Sequence, residues 1–291
     1  MTRLATRFVV LSTAGLLLSG CLVSGKDDDS PDKRNYVAMG DSYAAAPGVG
    51  RANPPLGCRK SKDNYPHKLA DAADLDLTDV TCSGAPTEAV MTAYNALGDE
   101  VAPQIEAVDE DTDIVTIGLG FNDLGLSLKV FVACVQVTTR NPGATSPCTD
   151  ADRNLGANGT QAILDQVTDR LKVVVEEVTE RAPDARVFLV GYPTIFPTGA
   201  TCPNLGMNAG DMPLMNHIVS SLNTSLKDAA AAYDATYVDL ATPTVGHDVC
   251  SDDPWVAGLQ PVGGRKAMSW HPYEDEQELA ADTLAKLIGS D

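Results

Sequence analysis

The chain has 291 residues, with 40 acidic against 21 basic side chains and a formal net charge of −19. No lysine or arginine cluster offsets that excess, so the composition argues against a nucleic-acid-binding protein. Its length and apolar share of 44% suit one large α/β domain rather than two domains or a disordered chain.

At the N-terminus, Arg3 and Arg7 make a short positive region ahead of a mostly apolar run over residues 8–18. That run is well short of the roughly 20 residues a membrane span needs, so residues 1–20 read as a signal peptide. Leu18-Ser19-Gly20-Cys21 matches a lipobox, which makes Cys21 the expected lipidation site and the protein membrane-tethered and extracytoplasmic. Without that acylation it would be secreted. Residues 21–34, with Asp27, Asp28 and Asp29, are too polar to pack and read as a flexible tether; the folded domain is expected over residues 35–291.

Within that domain, strand-like runs cover residues 35–39, 77–82, 113–117, 186–190 and 236–240. Helical patterns cover 87–97, 157–181, 212–233 and 274–288. In the second of these, Ile163, Val167, Leu171, Val174, Val175 and Val178 recur at helical spacing, so one face is buried. Alternating β and α units predict a parallel sheet covered on both faces. Residues 47–66 and 131–158 read as long irregular loops that carry cysteines. With Cys21 lipidated, six of the seven cysteines remain, an even number in an exported chain. Sequence alone does not choose among their pairings. Zinc is the rival use of these thiols, but no Cys-x-x-Cys or His-x-x-x-His spacing supports it.

Four short segments carry possible chemistry. Gly40-Asp41-Ser42 follows the first strand, where a tight turn can present a hydroxyl at the carboxyl edge of an open sheet. Ser83-Gly84-Ala85, Gly120-Phe121-Asn122-Asp123 and Ser269-Trp270-His271-Pro272 then follow in order. Each has an ordinary structural alternative: Gly84 as a turn, Asn122-Asp123 as a helix cap, Asp41 as a turn former. An α/β-hydrolase elbow is excluded because Ala44 stands where its final glycine would be, and because Ser42 follows the first strand.

In that order the four segments resemble the blocks of the SGNH hydrolase (GDSL-type esterase and lipase) superfamily, over residues from about 35 to 288. The six cysteines, Gly191-Tyr192-Pro193 and Gly246-His247-Asp248-Val249-Cys250 look like the disulfide-bonded secreted esterases and lipases of actinobacteria. The resemblance implies a three-layer, flavodoxin-like α/β/α sandwich with about five parallel strands. It implies the pairings Cys58–Cys82, Cys134–Cys148 and Cys202–Cys250, and a monomeric hydrolase of small-molecule or lipid esters needing no metal or organic cofactor. It also implies Ser42 as nucleophile, the oxyanion donors Ser42, Gly84 and Asn122, and His271 as base.

Such a serine needs a base within hydrogen-bonding reach, and the chain has four histidines. His217 falls inside a helical pattern, His67 follows a Tyr-Pro turn, and His247 sits in a cysteine-bearing loop. His271 precedes the last helix, where the family places its base. The family usually carries Asp three residues before that histidine; here the position is Met268. Either a backbone carbonyl of the 268–269 stretch or a distant carboxylate can accept from the ring; the carbonyl, assigned to Met268, is expected to orient it, giving a Ser–His dyad. An envelope carbohydrate O-deacetylase of the same fold is the alternative reading, and a non-catalytic binding lipoprotein is the alternative from another class.

Overall fold

The computed structural model describes residues 33–289. Cys21 and the signal segment lie outside them. The main elements, in chain order, begin with β1 (Asn35–Gly40), α1 (Ser42–Ala45), β2 (Ala52–Asn53), β3 (Lys60–Ser61), α2 (Tyr65–Ala73) and β4 (Asp76–Asp79). There follow β5 (Tyr94–Ala96), β6 (Asp99–Val101), β7 (Ile114–Gly118), α3 (Cys134–Arg140), α4 (Pro147–Leu155) and α5 (Thr160–Arg181). The chain closes with β8 (Arg186–Val190), α6 (Met212–Ala232), β9 (Thr236–Val238) and α7 (Glu274–Ile288).

Five strands form one parallel sheet in the order β4-β1-β7-β8-β9. The period-two alternation of each strand builds both cores. Val37, Met39, Val115, Ile117, Val187 and Leu189 join the cluster containing Val167, Leu171 and Val175 of α5 and Leu222 and Leu226 of α6. Their neighbours Tyr36, Ala38, Ile114, Phe188 and Val190 face Leu69 of α2 and Ala280 and Leu284 of α7. The result is the expected α/β/α sandwich. Strands buried on both faces need near-continuous apolar runs, and β7 and β8 have them.

The sheet positions the site through its topology. The chain steps from β1 to β4 on one side and then crosses to β7 on the other, so strand order reverses at β1. A crevice opens at the carboxyl ends of strands around such a reversal. Ser42, Gly84 and Asn122 follow β1, β4 and β7, the three strands that bracket it.

Several expectations are corrected. Residues 87–97 are not a helix: a 3-10 turn covers Thr87–Val90, and β5 and β6 make a hairpin. Leu97 and Gly98, the two loop residues, both take positive φ, and the Asn95 side chain accepts from the Gly98 N–H at 3.0 Å. That turn chemistry overrides the helical pattern. Residues 131–158 are largely helical, through α3, α4 and a preceding π-turn at Leu128–Ala133. The reading of residues 47–66 as loop overlooks the start of α2, capped by the Asn64 side chain, which accepts from His67 N–H at 3.2 Å. Strand β4 ends at Asp79 rather than residue 82, where the Asp79 carboxylate accepts from both Thr81 N–H and Oγ1–H. The second and third expected helices and the last two expected strands sit within a few residues of the observed α5, α6, β8 and β9, and the last helix matches α7.

All six cysteines of the domain are paired, Cys58–Cys82, Cys134–Cys148 and Cys202–Cys250, closing separations of 24, 14 and 48 residues. Loop-closure entropy makes each worth about 3–4 kcal/mol. Such bonds persist in oxidising, extracytoplasmic compartments. Paired sulfurs are also not zinc ligands. Among the described residues no helix is long and apolar enough to cross a membrane.

Candidate active site

The nucleophile segment begins with a close approach. A Cβ on Gly40 would stand 2.5 Å from the Ala44 Cβ, so only glycine lets β1 turn this sharply into α1. Gln104 brackets Gly40 from the side, accepting its N–H at 2.9 Å and donating to its carbonyl at 3.0 Å. Asp41 caps α1 by accepting from Tyr43 N–H at 2.8 Å. Ser42 therefore opens the helix with its backbone N–H among those that have no partner in the first turn.

Asp41 is fully buried, and its second oxygen accepts from the Tyr192 hydroxyl at 2.7 Å. Tyr192 in turn accepts from Phe121 N–H at 3.0 Å, and both its backbone groups are held by the Asn223 side-chain amide. Burial pushes the Asp41 carboxyl up to about 7, against the two hydrogen bonds it accepts. Asp41 thus clamps the turn to the segment carrying Asn122. This clamp was not legible in the sequence: Tyr192 belongs to a segment noted only for its resemblance.

The oxyanion candidates converge on the same cavity. Gly84 takes φ +84°, and a Cβ there would lie 2.7 Å from the Tyr94 hydroxyl, so the position demands glycine. Asn122 follows β7; its Oδ1 accepts from Ser127 Oγ at 2.7 Å and its Nδ2 donates to the Ala85 carbonyl at 3.2 Å. Those bonds define the amide's orientation and leave one of its two N–H donors for a ligand. Asp123, next to it, is buried and holds the Ser83–Thr87 loop by accepting from Thr87 N–H and Oγ1–H.

The candidate base comes from the far end of the chain. Trp270 adopts a positive φ of 68°, which folds the segment so that His271 Nδ1 lies 2.8 Å from the Ser269 carbonyl. A carbonyl only accepts, so Nδ1 carries the proton and Nε2 keeps its lone pair. The orienting acceptor is thus Ser269 and not Met268, whose carbonyl takes the His271 backbone N–H at 3.2 Å. The left-handed turn at Trp270 is the reason, since it points the carbonyl two residues back at the ring. Among the described residues no carboxylate hydrogen-bonds this ring. Burial lowers its pKa to about 4; the Ser269 bond opposes that shift and the Arg59 charge adds to it.

Tyr43 joins the two ends. Its hydroxyl donates to the Trp270 carbonyl at 2.8 Å, and its ring lies 5.7 Å from the His271 ring. Ser42, Gly84, Asn122 and His271 share the wall of one cavity of about 390 Å³. Tyr43, Phe121, Leu128, Phe131, Val132 and Trp270 supply an apolar lining suited to an acyl chain. The other histidines lie elsewhere: His67 on Asn64, His217 on Gln161, and His247 stacked on Trp255.

A sandwich with these segments at its switch point is the architecture of serine-dependent ester hydrolases, and the comparisons agree. Residues 38–275 match the GDSL-like Lipase/Acylhydrolase family, and the chain belongs to that family. It is similar to Lipase 2 of Streptomyces coelicolor, with 36% identity over 262 residues covering 88% of this chain and 86% of that one. A lipase of Streptomyces rimosus shares 30% over 283 residues, covering 94% of each. Among solved structures, phospholipase A1 from Streptomyces albidoflavus NA297 superposes with a TM-score of 0.72 at 26% identity, over 88% of this chain and 99% of that one. The extracellular lipase of Streptomyces rimosus gives 0.69 at 27%, over 86% and 98%. The protein is an ester hydrolase.

Proposed function

We propose that the protein is a lipid-anchored extracytoplasmic esterase or lipase working through a Ser42–His271 dyad. His271 Nε2 takes the Ser42 hydroxyl proton as Oγ attacks the ester carbonyl. The tetrahedral oxyanion is held by the backbone N–H groups of Ser42 and Gly84 and the side-chain N–H of Asn122. The imidazolium then returns the proton to the leaving alcohol, and an acyl-enzyme remains. Water, deprotonated by the same histidine, releases the acid and restores the serine. The Ser269 carbonyl does the orienting work a carboxylate does in a triad, with less charge stabilisation of the imidazolium.

The observation that carries this reading is the Nδ1–Ser269 bond, which gives a buried histidine a free Nε2 in the cavity that holds Ser42. The apolar lining supports acyl chains longer than acetyl, which favours a lipid or fatty-ester substrate over an O-acetyl sugar. Anchoring through Cys21 rests on the lipobox and on the odd cysteine left after three disulfides.

A fluorophosphonate probe tests the nucleophile directly. Folded protein should be labelled at Ser42, and Ser42→Ala should lose labelling together with at least about 10³-fold of its turnover. Label on folded Ser42→Ala, or activity within tenfold of the parent, would move the nucleophile elsewhere.

A further inference from the structure

Beside the catalytic cavity lies a second hollow of about 370 Å³, walled by Val49, Leu56, Arg59, Lys60, Ala267 and Met268 among others. Met268 lines both spaces. In a chain with 40 acidic residues, neither wall carries an aspartate or glutamate. The hollow behind Gly264, by contrast, mixes Arg265 and Lys266 with Glu274, Asp275 and Glu278. The wall of the second hollow thus carries two cations and no carboxylate, and its Met268 lies three residues before His271 in the chain.

The two cations of that hollow differ. Lys60 is buried and turned inward, donating to the Asp79 carbonyl, with the Asp79 carboxylate 3.8 Å away. Arg59 is exposed, and among the described residues its side chain hydrogen-bonds only the Met268 sulfur, Nη1 to Sδ at 3.0 Å. Among the described residues no carboxylate pairs with it, whereas Arg51 on the same loop is held by Asp63. A thioether is a weak acceptor and leaves most of a guanidinium's five donors unused. The base of Arg59 is nonetheless anchored: Cys58 is bonded to Cys82, and its carbonyl accepts from Ser83 N–H at 3.0 Å, beside Gly84. Through the Met268 side chain, whose sulfur it touches and which also lines the cavity of Ser42 and His271, the guanidinium adjoins that cavity.

Position 268 is where the resemblance leads one to expect a carboxylate. An aspartate there would lie beside this guanidinium; methionine leaves the fork open. We propose that the hollow is an anion subsite in which Arg59 receives the phosphate of an acyl glycerophospholipid while the ester lies over Ser42. Guanidinium and phosphate match as a bidentate pair, and the carboxylate-free wall keeps out the competitor that would occupy the fork. The inference rests on the esterase reading and adds a substrate class to it.

The test compares KM and kcat for two monomeric substrates, dihexanoyl phosphatidylglycerol and dihexanoylglycerol, with p-nitrophenyl butyrate as a neutral control. At about pH 8, where the His271 imidazole is neutral with or without the Arg59 charge, Arg59→Gln should raise KM for the phospholipid about 10- to 100-fold, the loss of a charge-assisted bond, and change KM and kcat for both neutral esters far less. Arg59→Lys should recover part of the loss, because a point charge replaces the fork. Met268→Asp should raise the same phospholipid-to-neutral KM ratio by giving the guanidinium an internal partner. Equal effects of Arg59→Gln on all three substrates, or none on the phospholipid, would overturn the proposal. So would inorganic phosphate competing against the neutral esters in an Arg59-dependent way while phospholipid KM stays unchanged, which would make this a free-phosphate site. Failure of the esterase reading is separately visible, as p-nitrophenyl butyrate turnover by the parent that survives Ser42→Ala.

Discussion

The two ends of the proposed dyad are held by different kinds of structure. Ser42 grows out of the central sheet: β1 pairs with β4 and β7 on both sides, and Asp41, Tyr192 and Gln104 lock the turn through buried side chains. His271 grows out of an irregular segment held mainly by backbone bonds, with Ala257 and Trp255 accepting from or donating to residues 270–273 and Tyr43 as the side-chain tie. The proposed nucleophile therefore inherits the rigidity of the fold, whereas the proposed base depends on one left-handed turn and a few local contacts. A side-chain network can be broken one atom at a time. A carbonyl that orients a ring cannot be removed by mutation, so the base end is sensitive through its neighbours instead.

His271→Ala is the hardest break, since nothing else on the cavity wall has a basic lone pair to deprotonate Ser42. Its kcat should fall at least about 10³-fold with the melting transition retained. A loss under tenfold in a folded variant would leave the histidine without a catalytic role.

Asn122→Ala tests the sheet-borne side. Its donor acts where charge develops, so kcat should fall about 10²- to 10³-fold with KM little changed. A change confined to KM, measured on the same nitrophenyl ester, would make Asn122 a binding residue.

Tyr43→Phe sharpens the comparison, because it cuts the buried hydrogen bond from the Tyr43 hydroxyl to the Trp270 carbonyl and leaves the ring in place. Stability should fall by about 1 kcal/mol in denaturant titration, and kcat should drop by less than about tenfold. The matching cut at the nucleophile end, Tyr192→Phe, leaves the Asp41 carboxyl and Phe121 N–H without their partner and should cost more stability. Equal costs would mean that the two ends are equally braced.

The smallest effect is visible only in acid. Burial holds His271 near 4, so the acidic limb of kcat/KM should lie close to that value and not near 6.5, where an exposed imidazole titrates. The unfolded chain binds this proton at a higher pH than the folded one. Unfolding therefore takes up a proton between about pH 6.5 and 4, and the contribution to stability is complete above that window and lost on descending through it. An acidic limb near 6.5 would indicate a solvated or carboxylate-supported ring.

The order of the four segments was readable because short glycine-containing turns after strands carry their own signature. The sheet was readable because a strand buried on both faces must be continuously apolar. The even set of domain cysteines was equally local. Other features depended on residues distant in the chain and had no local signal. The β5–β6 hairpin displaced an expected helix because Leu97 and Gly98 could take positive φ together, a choice settled by pairing with β6. The helices α3 and α4 were hidden in a stretch whose cysteines and prolines resembled a loop.

The sequence by itself determined the fold class, the strands that meet at the switch point, and the identity of Ser42, Gly84, Asn122 and His271 as candidates. Local patterning suffices for these, because strand periodicity and turn residues act over a few positions. Tertiary structure alone decided that Ser269, rather than Met268, orients the His271 ring, that Tyr192 clamps Asp41 across 151 residues, and that Arg59 stands beside Met268 with no carboxylate partner among the described residues. Each of these is a distance between segments far apart in sequence, or the sense of a single φ angle, and neither quantity is encoded in the residues that flank it.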